Sequence, residues 1–229
     1  MSVLKEKSLK IIFSTKRNGS MRIGDKEGEK NREKFLKKVG IDKNSVVFIK
    51  GCHGKRIKKV SKKDKGKIVE GFDGLITKEK GIFLGMTFGD CLPVFLWDKE
   101  KKVISLLHCG WRGIAKGIVE EGIKKMKEFG IKPKDVFAFL GPGICKKHYE
   151  IKEDVLEKFK NYKSAITFKK GKIFLDLKKV VKEKLKNLGI KHILQSKECT
   201  FCQKQKYFSL RRDKKLRVQV ALFGIEIEN

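Results

Sequence analysis

A chain of 229 residues with 40% hydrophobic content is long enough to fill a sizeable core. Its formal charge of +30 comes from 57 basic residues against 27 acidic ones, yet only eight of the basic residues are Arg, and the Lys are spread over nearly every segment. That distribution reads as a solvated surface and argues against a nucleic-acid groove, and no segment approaches the ~18 apolar residues of a membrane-spanning helix. Met1 to Lys10 lacks the apolar run of a signal peptide, so a cytoplasmic protein is expected, in which six Cys serve as thiols or ligands and not as a disulfide framework.

In chain order, Leu9 to Ser14 predicts a short strand and Asn31 to Val39 a helix with Phe35, Leu36 and Val39 inward, joined by the polar loop "TKRNGSMRIGDKEGEKN". Val46 to Ile49 predicts a second strand, which delivers "GCHGK", and the basic stretch "RIKKVSKKDKGK" follows as a loop ahead of "GFDGLIT". Gly81 to Phe88, Cys91 to Trp97 and Val103 to His108 predict strands, the last two joined by a charged turn at Lys99-Glu100. From Ile114 the period changes: Ile114, Ile118, Val119, Ile123 and Met126 share a helical face, with Glu120 to Lys124 and Glu121 to Lys125 as i, i+4 pairs, until Gly130 and Pro133 end the helix. Val136 to Leu140 predicts a strand entering "GPGICKKHYE"; a helix over Glu153 to Phe159, strands near Ala165 to Phe168 and Lys172 to Leu175, a helix from Leu177 to Leu188, and strands at His192 to Gln195 and Leu216 to Phe223 complete the chain. Strands and helices mix without regular βαβ alternation, and no repeat or linker divides them. The expected class is α+β with mixed sheets, in a single domain over residues 1–229.

The hairpin around Lys99-Glu100 singles out a pair of residues. With a two-residue turn, Asp98 faces Lys101, Trp97 faces Lys102 and Cys91 faces His108. Cross-strand neighbours have Cβ atoms roughly 4.5–5.5 Å apart, close enough for a thiolate and an imidazole to share one metal ion. A third ligand is needed, and His53, Cys52, Cys109, His148 and the carboxylates are candidates; Gly51 and Gly54 around His53 would let its backbone approach a shared site. His148 and His192 read as surface or satisfied histidines. Cys199-x-x-Cys202 is one CxxC pair without a second, so it reads as structural or incidental. "GPGICKKHYE" lacks the Gly-Lys-Ser/Thr ending of a triphosphate-binding loop.

Taken together, "CHG" at Cys52 to Gly54, "FDGLIT" at Phe72 to Thr77, "GDCLPVFLWD" at Gly89 to Asp98, "HCGWRG" at His108 to Gly113, "GPGICKKHYE" at Gly141 to Glu150, "LDL" at Leu175 to Leu177, "CT" at Cys199-Thr200 and "YFSLRRD" at Tyr207 to Asp213 resemble the laccase-domain polyphenol oxidase family. That family is described mainly as zinc-dependent purine nucleoside phosphorylases with adenosine deaminase activity. The likeness runs in order over nearly the whole chain, and Asp-Cys-x-Pro followed by His-x-Gly-Trp-Arg-Gly is its most specific part. It implies a four-layer αββα sandwich of mixed β-sheets and a zinc site on His53, Cys91 and His108. It also implies a single catalytic domain acting on purine nucleosides and phosphate, with methylthioadenosine among the nucleosides. The chain departs from the family's pattern where a Gly-Gly-Val-Ser loop and an Asn-Leu segment are reduced to "TKRNGSMRIGD", and where the glutamine two residues before the site histidine is Gly51.

For phosphorolysis, Arg112 and Arg17 are candidate phosphate-holding groups, because a guanidinium meets phosphate with a two-pronged fork. For deamination, Asp73 or Glu150 could move protons. Three rival readings exist. A cysteine hydrolase would use Cys91 as nucleophile and His108 as base on acyl or peptide bonds. A copper oxidase is disfavoured by a total of four His with no His-x-His pair, and a nucleic-acid-binding protein would show steeply salt-dependent binding.

Overall fold

The computed structural model describes residues 3–6, 8–100 and 102–226. Its helices are α1 (Lys26–Lys38), α2 (Trp111–Lys116), α3 (Ile118–Glu128), α4 (Glu153–Phe159), α5 (Leu177–Asn187) and α6 (Leu210–Asp213). One six-stranded sheet runs Val3–Glu6, Leu9–Phe13, Gln219–Ile225, Phe83–Phe88, Val46–Lys50, Ile68–Glu70, parallel only on either side of Val46–Lys50. The second runs His192–Gln195, Val136–Leu140, Leu92–Asp98, Ile104–Cys109, Gly74–Thr77, Ile57–Lys59, parallel only at its two outermost pairings. A small three-stranded sheet joins Glu150–Ile151, Lys172–Leu175 and Ile166–Lys169. This is the expected α+β class.

Three apolar clusters set the layers. Phe13, Leu84, Met86, Phe88 and Phe223 of the first sheet meet Leu75, Phe95, Trp97, Ile104 and Leu106 of the second. The opposite face of the first sheet, with Ile12, Phe48, Phe83 and Leu222, packs on Phe35 and Leu36 of α1. The opposite face of the second, with Val94, Leu96, Leu107 and Ala138, packs on Ile118, Ile123, Val181 and Leu185 of α3 and α5. Helix, sheet, sheet, helix is the αββα order. Both faces of each central sheet are covered, which is why Leu92–Asp98 and Ile104–Cys109 are buried throughout and read as unbroken apolar runs.

The hairpin register differs from the sequence expectation. Trp97 pairs with Ile104, Pro93 with His108 and Leu92 with Cys109, so the strands are shifted by two residues and Cys91 does not face His108 directly. The cause is Asp98, whose carboxylate accepts hydrogen bonds from the Glu100, Lys102 and Val103 amides and closes a longer loop than a two-residue turn. Because side chains alternate with period two, a shift of two keeps Cys91 and His108 on one face as diagonal neighbours.

Two helices also differ. α1 begins at Lys26, inside the supposed loop, because the Asp25 carboxylate caps the Glu27 and Gly28 amides. The helix expected to run unbroken from Ile114 is divided at Gly117, whose φ of 92° ends α2 and starts α3. Glu120 pairs with Lys184 of α5 at 2.5 Å, so it links two helices instead of bracing its own.

Candidate metal centre

His108 occupies a central position on the second sheet. Its neighbour on one side is Pro93, and on the other Asp73, whose carbonyl accepts the His108 amide at 2.7 Å just ahead of the Gly74–Leu107 pair. Cys91 immediately precedes the strand that carries Pro93. His53 arrives from elsewhere, on the loop that leaves Val46–Lys50 of the first sheet and crosses to Ile57–Lys59 of the second. Its backbone is left-handed at φ 58°, a conformation costing about 1–3 kcal/mol for a residue other than glycine.

Asp73 holds that strained loop. It is fully buried, and its two oxygens accept from the His53 amide at 2.9 Å, the Gly54 amide at 2.6 Å, the Cys52 amide at 3.2 Å and the Cys52 thiol at 3.0 Å. The same carboxylate bonds His108 Nδ1 at 2.9 Å. One buried anion therefore fixes the backbone of one histidine and the ring of the other. Burial works against its charge, but the His108, Cys52 and Gly54 bonds outweigh burial and hold the carboxyl well below the usual range.

With Nδ1 engaged, His108 offers Nε2 to the space it shares with Cys91 and His53. The Cys91 thiol lies 3.8 Å from His53 Nε2, the two imidazole rings are 5.0 Å apart, and the three donor atoms are all within 4.8 Å of one another. Glycine makes room at two points. A Cβ on Gly51 would stand 2.8 Å from His108 Nδ1 and 3.0 Å from Asp73 Oδ1. A Cβ on Gly110 would stand 2.9 Å from both Cys91 Sγ and His53 Cδ2.

Cys91 and His108, whose donor atoms lie within 4.8 Å of each other, shift each other's titration in opposite directions. Burial opposes the thiolate, but the positive His108, with His53 adding a hydrogen bond, draws the Cys91 pKa down to about 6. Burial likewise opposes the imidazolium, but the Cys91 thiolate and Asp73 push His108 up to about 10. A metal taking His108 Nε2 must displace that proton, whereas Cys91 has already lost its own at neutral pH. Loading a divalent ion at pH 8 is therefore expected to release about one proton per ion, rising as the pH is lowered and falling toward none above pH 10. Calorimetric titration in buffers of different ionisation enthalpy measures this, and proton-neutral uptake at pH 8 would contradict the raised His108 pKa.

The other candidate ligands are placed away from this role. Cys52 donates to Asp73, and that bond raises its pKa, keeping a protonated thiol. Cys109 points into the apolar layer and is pushed well above the thiol range by burial. His148 stacks on Phe201 at 4.0 Å and His192 on Phe137 at 4.3 Å.

The comparisons with known proteins agree with this architecture. Residues 11–225 match the family model described as multi-copper polyphenol oxidoreductase laccase. The chain belongs to that family. It is 31% identical over 213 residues to purine nucleoside phosphorylase YlmD of Bacillus subtilis, spanning 86% of this chain and 77% of the relative. It is 27% identical over 189 residues to adenosine deaminase RL5 of an unknown prokaryotic organism, spanning 76% of this chain and 72% of the relative. The solved structure of YlmD from Geobacillus stearothermophilus superposes with a TM-score of 0.91 at 27% identity, covering 96% of this chain and 93% of that one.

Around this family's centre the structure assembles a wall that sequence reading missed. Tyr149 is buried close to Cys91, and its phenol is pushed upward first by burial and then by Cys91, against the opposing influence of Arg211 and Arg112. The Arg211 guanidinium lies over the Tyr149 ring at 5.2 Å and donates to the Glu150 carbonyl at 2.7 Å. Asp90, next to Cys91, accepts from the Arg211 amide and the Thr200 hydroxyl, each at 2.7 Å. The quoted motifs "GPGICKKHYE", "CT" and "YFSLRRD" contained these residues, but nothing in their spacing says that they meet.

Of the remaining candidates, Arg112 lies on α2 with its guanidinium 4.3 Å over the Trp111 ring. The Glu150 carboxylate is paired with Lys172 at 2.9 Å. Arg17 is exposed on a short turn beside Lys16, whose amide bonds the Lys206 carbonyl at 2.8 Å.

Proposed function

We propose that this protein is a zinc-dependent purine nucleoside phosphorylase that also deaminates adenosine and accepts methylthioadenosine. The observation that carries this reading is the convergence of His53, Cys91 and His108 on one point, with Asp73 setting the tautomer of His108. Two imidazoles and a thiolate suit zinc, and three protein ligands leave a fourth position, as in catalytic sites. His53, Cys91 and His108 would hold the ion, which when bound supplies Lewis-acid polarisation of an oxygen. A multi-copper cluster fits poorly, since only His53 and His108 of four histidines converge.

In phosphorolysis the glycosidic C–N bond breaks, a phosphate oxygen bonds the sugar C1′, and the purine leaves with a proton. Arg112 and Arg211, both in the field of Tyr149, supply guanidinium forks for phosphate, and Arg17 would add charge if substrate bridges to its turn. The Tyr149 phenol, held protonated by burial, can donate to the leaving base. Asp73 acts through His108 and the 52–54 loop, because both its oxygens are already occupied. Glu150 contributes through the carbonyl that steadies Arg211.

The test incubates the zinc-loaded protein with adenosine, inosine or methylthioadenosine, with and without phosphate, and identifies the products. Phosphate-dependent release of free base and sugar 1-phosphate, lost on chelation and restored by zinc, is expected. Nucleosides left intact under all conditions would refute the reading.

The line Asp73–His108–Cys91 also has the form of an orienter, a base and a nucleophile, which favours a cysteine hydrolase as the second reading. That enzyme would cleave acyl substrates without metal and lose activity on alkylation of Cys91.

A further inference from the structure

Three cysteines that the centre above does not use also converge. Cys145 lies in the loop after Val136–Leu140; Cys199 and Cys202 lie after His192–Gln195. A bridge between Gly143 and Cys199 brings the two segments together. Their three sulfurs are within 4.8 Å of one another, and Cys145 Sγ and Cys202 Sγ are 3.8 Å apart. Two sulfurs at ~2.3 Å from one tetrahedral ion would stand ~3.8 Å apart, whereas a disulfide needs ~2.05 Å. The spacing fits a shared ion and is too long for a disulfide.

The backbone favours a thiolate at Cys199. Cys199 Sγ accepts the Cys145 amide at 3.2 Å and the Cys202 amide at 3.4 Å, and hydrogen bonds to the charged form favour it. Three thiolates around a divalent ion leave a net charge of about −1. Lys178 offsets it: its ammonium, bonded to the Ser196 and Glu198 carbonyls at 2.6 and 3.0 Å, sits in the field of Cys199 and Cys145. Cys145 also borders a cleft of about 640 Å³ lined by seven Lys, which adds positive potential.

We propose that Cys145, Cys199 and Cys202 form a second metal site, an all-thiolate clamp for one zinc-class divalent ion, distinct from the His53, Cys91 and His108 group. The first two cysteines tie two loops together, and the exposed Cys202 leaves the fourth position to solvent. The clamp is structural in effect. Thr200, between its ligands, bonds Asp90 beside Cys91, and Arg212 holds the Thr200 and Phe201 carbonyls at 2.8 and 2.7 Å. Metal here would brace the wall of the first centre from behind.

The experiment compares the full-length wild type with Cys202→Ser, each loaded with zinc under reducing conditions and desalted. The serine variant should lose about one equivalent of zinc, while Cys91→Ser keeps the ion that Cys202→Ser loses. The cobalt-loaded wild type should show thiolate-to-metal charge-transfer absorption that falls by more than half in Cys202→Ser. Independently of any variant, zinc should slow alkylation of Cys202 in the wild type about tenfold, with a chelator restoring it. Equal zinc content and spectra in wild type and Cys202→Ser, or alkylation of Cys202 indifferent to zinc, would overturn the proposal and mark the cluster as three free thiols.

Discussion

Asp73→Asn is expected to lower metal affinity at the His53, Cys91 and His108 group by about 10–100-fold, with the proposed phosphorolysis falling at least in step. The substitution keeps size and removes charge, so the effect isolates the carboxylate. Both Asp73 oxygens face N–H groups: Oδ1 meets the His53 amide and His108 Nδ1, Oδ2 the Cys52 and Gly54 amides. An asparagine amide must turn its own NH2 toward one of these sets. If it meets His108, Nδ1 becomes an acceptor and the proton moves to Nε2, the atom that must be bare to bind metal. If it meets Cys52 and Gly54, the loop carrying the strained His53 loses its anchors, at about 1–3 kcal/mol for each donor left unpaired. Competition with a chelating indicator reads the affinity, and a variant that binds zinc as tightly as wild type would remove Asp73 from this role. Cys52→Ser is the control, because Cys52 meets the same carboxylate at Oδ2, away from the Oδ1 that holds His108.

Gly110→Ala should damage the same centre by a different route. Gly110 has φ −75° and ψ 160°, which alanine adopts freely, so any effect comes from the added methyl. That methyl would stand 2.9 Å from Cys91 Sγ and from His53 Cδ2 and would force two of the three donors apart. Overpacking of this kind costs about 1–3 kcal/mol of stability. The decisive readout is the ratio of effects: zinc affinity should fall by more than tenfold while the thermal midpoint moves by only a few degrees. Unchanged zinc affinity would show that the loop carries His53 aside at no cost to the centre.

Much of the fold was legible where a segment's own pattern decides it. The helix Glu153–Phe159 and the strand His192–Gln195 stand where their periodicities place them, and the buried run Leu92–Asp98 was visible as an unbroken apolar stretch. The start of α1 was hidden because a Lys-rich helix with one apolar stripe looks like a loop until the Asp25 cap is recognised. The two-residue register error at Asp98 came from loop chemistry, in which one carboxylate gathering three amides outweighs the turn suggested by a charged dipeptide. The error left Cys91 and His108 on one face, since the alternation of a strand survives an even shift.

The sequence by itself determined the α+β class, the pairing of Cys91 with His108 as chemistry worth following, and, through its motifs, the family. Only the tertiary structure decided that Asp73 lies behind both histidines, that Tyr149 and Arg211 form a wall beside Cys91, and that Cys145 joins Cys199 and Cys202. The physical reason is separation along the chain. Strand and helix periods are local, written in neighbouring residues. A buried carboxylate that reaches His53 from 20 residues away and His108 from 35, or a thiol cluster closed across 57, depends on which strands lie side by side.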